Sequence, residues 1–172
     1  MQRRSFLHAA AGAALGTLAL GGLSACGFKL RGQASIPFHS VYFQAAEDSP
    51  LARQLQRALQ DSGVTVLRPP ATPDQAERIF ELLGEQHERS ILSQSATGSV
   101  RELQLRLRVR YRLRDGRSAG LASDASVVEL LQSRDLSYDE SLALAKEAEE
   151  DMLLRDMQND LVAQILRRLA AS

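Results

Sequence analysis

Arg101-Glu102-Leu103-Gln104-Leu105-Arg106-Leu107-Arg108-Val109-Arg110-Tyr111-Arg112-Leu113-Arg114 is the stretch from which the fold follows. From Leu103 to Leu113 every odd position is apolar, and from Arg106 to Arg114 every even position is arginine. A period of two belongs to a β-strand, whose successive side chains point to opposite faces of a sheet. At about 3.3 Å per residue the strand runs roughly 45 Å, with one oily face and one face of guanidinium groups about 7 Å apart. The fold has to cover the first face, and the function has to explain the second.

The 172 residues are 44% hydrophobic and 24% charged, a balance that suits one globular domain. Residues 1–25 read as a signal peptide. Arg3 and Arg4 precede an uncharged run from Ala9 to Leu23, which ends in Leu23-Ser24-Ala25-Cys26; the run is too short and too rich in glycine for a good membrane span. Gln2-Arg3-Arg4-Ser5-Phe6-Leu7 also resembles a twin-arginine export signal, although adjacent arginines are common in ordinary signals; either route leads to the periplasm. Cys26 is the single cysteine, so no intrachain disulfide is available. Its surroundings resemble the bacterial lipobox, which implies cleavage before Cys26 and its acylation. The three acyl chains that this resemblance implies anchor stably where one binds marginally, and with Gly27 in place of an aspartate the resemblance favours the outer membrane. Removal of residues 1–25 takes away Arg3 and Arg4 and no acid, leaving 19 basic against 21 acidic side chains. The arginine row is therefore a local asymmetry in a nearly neutral chain, and nothing points to nucleic acid.

Residues 26–37 read as a tether punctuated by Gly32 and Pro37, and residues 38–172 as a single periplasmic domain. Val41 and Phe43 alternate in a short strand over 39–45. Ser49-Pro50 starts a helix, serine capping free amides and proline fitting the first helical position. Leu51, Leu55, Ala58 and Leu59 share a face of it, and Gly63 ends it. Val64 to Leu67 continue extended until Pro69-Pro70 and Pro73, which cannot belong to a central strand. Residues 76–92 are ambiguous in period, but their distance from the arginine strand suits a long hairpin turning near Ser93 to Ser99 around Gly98. Asp115-Gly116 marks a turn, and Ala125 to Leu131 reads as a further strand. Ser137 followed by Glu140 forms a capping box that opens a helix to about Ala170, with Leu154, Met157, Leu161, Ile165 and Leu169 as its apolar stripe. The expectation is an α+β fold, two helices on one face of a four-stranded, mostly antiparallel sheet in the order β-α-β-β-β-α, with the arginines outward.

Catalytic and metal chemistry find no support. His8 leaves with the signal, His39 and His87 lack ligand spacing, and there is no glycine-rich phosphate loop, nucleophile elbow or HExxH. The expectation is a non-enzyme without cofactor or metal. The arginine row is different. Glu81, Glu85 or Glu88 on the neighbouring strand can pair with it across the sheet, but five arginines exceed those partners. The remaining forks suit phosphates or carboxylates.

Several stretches together resemble the LptE family of lipopolysaccharide-assembly lipoproteins: the lipobox, Gly27-Phe28-Lys29-Leu30-Arg31-Gly32 after it, Glu102-Leu103-Gln104-Leu105, Ile165-Leu166-Arg167-Arg168-Leu169, and above all Ala143-Leu144-Ala145-Lys146-Glu147-Ala148-Glu149-Glu150-Asp151-Met152. The resemblance implies two helices on a four-stranded sheet, a lipoprotein that plugs the LptD β-barrel and helps it assemble, and binding of lipopolysaccharide in transit to the cell surface. Lys146 matches a family lysine associated with lipopolysaccharide contact. A second basic contact of the family lies in the turn before the long strand, where Ser93 to Ser99 here holds no basic residue; Arg101 or the arginine row is expected to stand in. The lipopolysaccharide site is thus expected to comprise Lys146, Arg106, Arg108, Arg110 and Arg112, with Cys26 lipidated. The rival reading is a structural or pilot lipoprotein of another envelope or secretion complex, with no lipid ligand.

Overall fold

The computed structural model describes residues 35–118 and 125–172. The signal peptide, Cys26 and the start of the tether lie outside them. The elements are β1 (Ser40–Gln44), α1 (Pro50–Asp61), β2 (Thr65–Leu67), β3 (Arg78–Gln94), β4 (Val100–Asp115), β5 (Val128–Ser137) and α2 (Ala143–Ala170).

The sheet has five strands in the order β2-β1-β3-β4-β5, which corrects the expected four-stranded, mostly antiparallel arrangement. The fifth strand is Thr65–Leu67, three residues long, at an edge. Its prolines do stop it, but only after it has paired with Ser40–Tyr42 of β1. A helix between two strands returns the chain to run the same way, so β2 lies parallel to β1. β1 is also parallel to β3, whereas β3-β4 and β4-β5 are antiparallel, and the sheet is mixed.

The long strand forms as its alternation predicts. Leu103, Leu105, Leu107, Val109 and Tyr111 are all buried under the helices. Leu105, Leu107, Val109 and Tyr111 join Leu51, Leu55 and Leu59 of α1 and Met157, Leu161, Ile165 and Leu169 of α2 in one core. Phe80 is fully buried between Phe43 (ring centroids 5.1 Å apart) and Tyr111 (5.2 Å), a stacked row across β1, β3 and β4. The ambiguous period of residues 76–92 has a structural cause. The β3-β4 register shifts between Leu82 and Gly84, so Leu83 is an extra residue in a β-bulge, 42% exposed.

Ser49 caps α1, its hydroxyl accepting from the Ala52 amide at 2.9 Å, and Gly63 follows the helix with φ +84°. The second helix starts later than expected. Ser137 is the last residue of β5, and a 3-10 turn over Glu140–Leu142 precedes α2. Asp139 caps that turn, accepting from the Ser141 amide (2.9 Å) and hydroxyl (2.7 Å). These bonds hold the Asp139 carboxyl below its ordinary range. The strand outcompetes the capping box because Leu136 pairs with Leu103 and is buried.

At the other end of β4, Gly116 donates its amide to the Glu77 carbonyl at 2.9 Å. A Cβ there would stand 1.7 Å from the Ala76 carbonyl oxygen, so the backbones touch only because residue 116 has no side chain. Gly116→Ala is expected to cost about 2 kcal/mol of stability through overpacking. Urea denaturation checks it; a midpoint matching the parent would show that the strand end yields freely.

Candidate functional site

β4 places its even-numbered side chains on the face of the sheet away from both helices, and cross-strand partners share that face. Opposite Arg106, Arg110 and Arg112 on β3 stand Glu88, Gly84 and Glu81; opposite Arg106, Arg108 and Arg110 on β5 stand Ser133, Leu131 and Glu129. Glu85 does not belong to this set. It pairs with Val109, so it points to the helix side, where it accepts from the Ser49 hydroxyl at 2.5 Å and bonds His87 Nε2 at 3.0 Å.

The arginines divide into two groups. Arg112 reaches Glu81 Oε2 through Nε (2.7 Å) and Nη2 (2.5 Å), and Arg114 Nη2 bonds the other oxygen of the same carboxylate. Glu81 is 8% exposed. Burial alone would raise its carboxyl, but hydrogen bonds from Arg112 and Arg114 and their charges prevail and hold it below the ordinary value of 4.5. Arg108 Nη1 meets Glu129 Oε1 at 3.2 Å. By contrast, among the described residues the Arg106 side chain bonds only the neutral Gln104 side chain, at 2.7 Å. Arg110 spreads its guanidinium over Gly84, with Nη2 3.6 Å from where a Cβ would be. Both are exposed, and among the described residues neither forms an ion pair. They stand four residues apart, about 13 Å along the strand. Leu131, across from Arg108 and 50% exposed, adds an apolar group to this face.

Lys146 lies in the first turn of α2, at the end of the sheet where Ser137 pairs with Glu102. Its ammonium donates to Ser137 Oγ (3.1 Å) and Glu149 Oε2 (2.9 Å), and its side chain is only 15% exposed. The expected site residues thus form a line rather than a pocket, with Lys146 beyond one end. Beside it, a cleft of about 400 Å³ is lined by Arg89 and Tyr138 and by Glu147, Glu150 and Asp151. Arg89 Nε bonds Glu150 at 3.2 Å and its guanidinium stands 5.8 Å from the Tyr138 ring centroid. Three carboxylates against one guanidinium make this cleft unsuited to an anion.

Sequence reasoning missed that Glu81 serves two arginines at once. The signal was present in the alternation Ile79-Glu81-Leu83, which puts Glu81 on the outer face. Glu129 was missed as well: it lies within the expected strand, but nothing in the sequence sets that strand's register against the arginines. Among the described residues no group of three or more His, Cys, Asp or Glu is placed to hold a metal.

Comparison with known proteins accounts for the architecture. The family model for LptE, lipopolysaccharide-assembly, matches residues 38–169. The LPS-assembly lipoprotein LptE of Photorhabdus laumondii subsp. laumondii is 28% identical over 149 residues, covering 84% of this chain and 76% of the relative. The solution structure of uncharacterized lipoprotein B from Nitrosomonas europaea is 39% identical with a TM-score of 0.69, covering 84% of this chain and 91% of that one. The crystal structure of rare lipoprotein B from Shewanella oneidensis is 25% identical with a TM-score of 0.64, covering 77% and 94%. The match runs from two residues before β1 to the last turn of α2, across every strand and both helices, and the chain belongs to the LptE lipopolysaccharide-assembly family, a family of non-catalytic lipoproteins.

Proposed function

We propose that this lipoprotein is anchored in the outer membrane through acyl chains on Cys26, with residues 26–37 as tether and 38–172 as the periplasmic domain, and that it plugs the LptD β-barrel, assists its assembly and binds lipopolysaccharide in transit. The observation that carries the ligand reading is the pair Arg106 and Arg110, outward and forming no ion pair among the described residues. Lipid A presents phosphates above a broad acyl base. Two guanidinium forks flanking an exposed leucine offer charge-assisted bonds to the former and a contact for the latter. Arg108 is half committed to Glu129, and Arg112 is held by Glu81, so they contribute field more than direct contact. Lys146 reaches the ligand by exchanging Glu149 for a phosphate.

The test is lipopolysaccharide binding by Arg106→Gln/Arg110→Gln. Its affinity at low salt should fall about tenfold, roughly 1.4 kcal/mol, with unchanged thermal stability because both residues are exposed. Binding equal to the parent would remove this face from the ligand site. The rival reading, a pilot subunit without lipid ligand, predicts no lipopolysaccharide binding by the parent either, and co-purification of a multimeric ring instead of a large β-barrel.

A further inference from the structure

We propose that the groove between α1 and α2 is a second anion site, built for a phosphate-bearing ligand and separate from the arginine face of the sheet. Arg53 and Arg57 are four residues apart on α1, one turn, so their side chains are neighbours on one face of the helix. Arg155 stands across from them on α2, one turn before Gln158 and Asn159. Together with Gln54 these side chains line a cleft of about 430 Å³ whose walls, among the described residues, carry three cations and no carboxylate. Among the described residues none of the three arginines forms an ion pair. That sets them apart from Arg89, Arg108, Arg112, Arg114 and Arg134, each of which meets an acid.

The groove is held in shape. Gln54 Nε2 donates to Asn159 Oδ1 at 2.5 Å, tying the two helices together. Arg53 Nη1 donates to the carbonyls of Glu47 and Asp48, both at 3.1 Å, which fixes that guanidinium while its other N–H groups stay available. Three like charges converging on one cleft repel each other until an anion enters. A carboxylate has two oxygens and one charge, and two forks saturate it, as at Glu81. A phosphate has more oxygens and up to two charges, so several guanidinium groups and the amides of Gln54, Gln158 and Asn159 can converge on it. The volume exceeds that of a bare phosphate and leaves room for a sugar or glycerol carrying one.

The experiment titrates the full chain in mild non-ionic detergent with sodium pyrophosphate at about 50 mM salt, where screening is modest, by calorimetry. Saturable binding is expected, weakened about tenfold or more in Arg57→Gln/Arg155→Gln and left within about twofold in Arg106→Gln/Arg110→Gln. The last comparison separates this groove from the lipopolysaccharide reading, since each pair of substitutions should affect only its own ligand. Displacement of pyrophosphate by glucose 1-phosphate assigns a saccharide-borne phosphate, and displacement by dihexanoyl phosphatidic acid a lipid headgroup; either supports the site. Pyrophosphate binding unaffected by Arg57→Gln/Arg155→Gln overturns the proposal, as does equally strong displacement by a tetraglutamate peptide, which would make the groove a dock for an acidic protein segment. Circular dichroism confirms that the variants fold, as their exposed positions lead one to expect.

Discussion

Phe80→Ala should remove about 4 kcal/mol of stability, the largest single-residue loss expected in the domain. Phe80 is 0% exposed and sits where three strands and the helix layer meet. Its truncation costs the transfer energy of a whole phenyl ring and leaves a cavity that the stacked rings of Phe43 and Tyr111 cannot both move to fill. Backbone pairing confines them, since Phe43 is fixed opposite Phe80 on β1 and Tyr111 opposite Leu82 on β4. Phe80→Leu keeps much of the volume and should cost about half as much, whereas Leu83→Ala, at the bulge, should cost less than about 1 kcal/mol. Urea denaturation of the three variants provides the ranking. If Leu83→Ala proved as damaging as Phe80→Ala, the inward and outward sides of β3 would have to be exchanged.

That ranking turns on which parts of β3 the sequence reveals. β4 was legible because eleven consecutive residues from Leu103 to Leu113 keep one period, and a one-residue slip would bury arginine. In β3 the same rule fails at Leu83. Before the bulge the odd positions Ile79 and Glu81 face outward; after it the even positions Gly84, Gln86 and Glu88 do. A simple alternation therefore assigns Glu85 to the arginine face, when it actually serves the N-terminus of α1 through Ser49. The short strand Thr65–Leu67 was hidden for another reason: three residues ahead of a proline pair carry no period, and their pairing with β1 comes from the crossover helix rather than from their side chains. The start of α2 shows local chemistry losing to burial. Ser137 and Glu140 spell a helix cap, but pairing with β4 extends the strand through Ser137. The division of the arginines was legible only in part: Glu81 was a candidate partner, but not how many arginines it would hold or that Glu129 would hold another. The division depends on which strand supplies an acid at which register, and Glu129 and Glu81 come from opposite neighbours of β4.

Glu81→Gln should destabilise the domain by about 3 kcal/mol at neutral pH. Arg112 and Arg114 both direct N–H groups at this carboxylate, and their side chains are only 31% and 16% exposed. Removing the charge leaves two largely buried cations facing a neutral amide, the circumstance in which breaking a pair costs most; partial hydration of Arg112 keeps the loss toward the lower end of the usual range. The pH dependence follows from the lowered carboxyl. A group whose folded pKa lies below its ordinary value of 4.5 contributes its stability above that value and loses it as pH falls through the folded pKa. The stability gap between parent and Glu81→Gln should therefore stay constant from pH 7 to about pH 5 and close progressively below about pH 4.5. Glu88→Gln, on the same strand and face but exposed, should shift stability by less than about 0.5 kcal/mol throughout. Glu81→Gln also frees Arg112, so the folded fraction should bind lipopolysaccharide at least as well as the parent. If binding fell in step with stability, Arg112 and Arg114 would be ligand groups positioned by Glu81 rather than members of a structural cluster, and the ligand face would extend to the β1 side of the sheet.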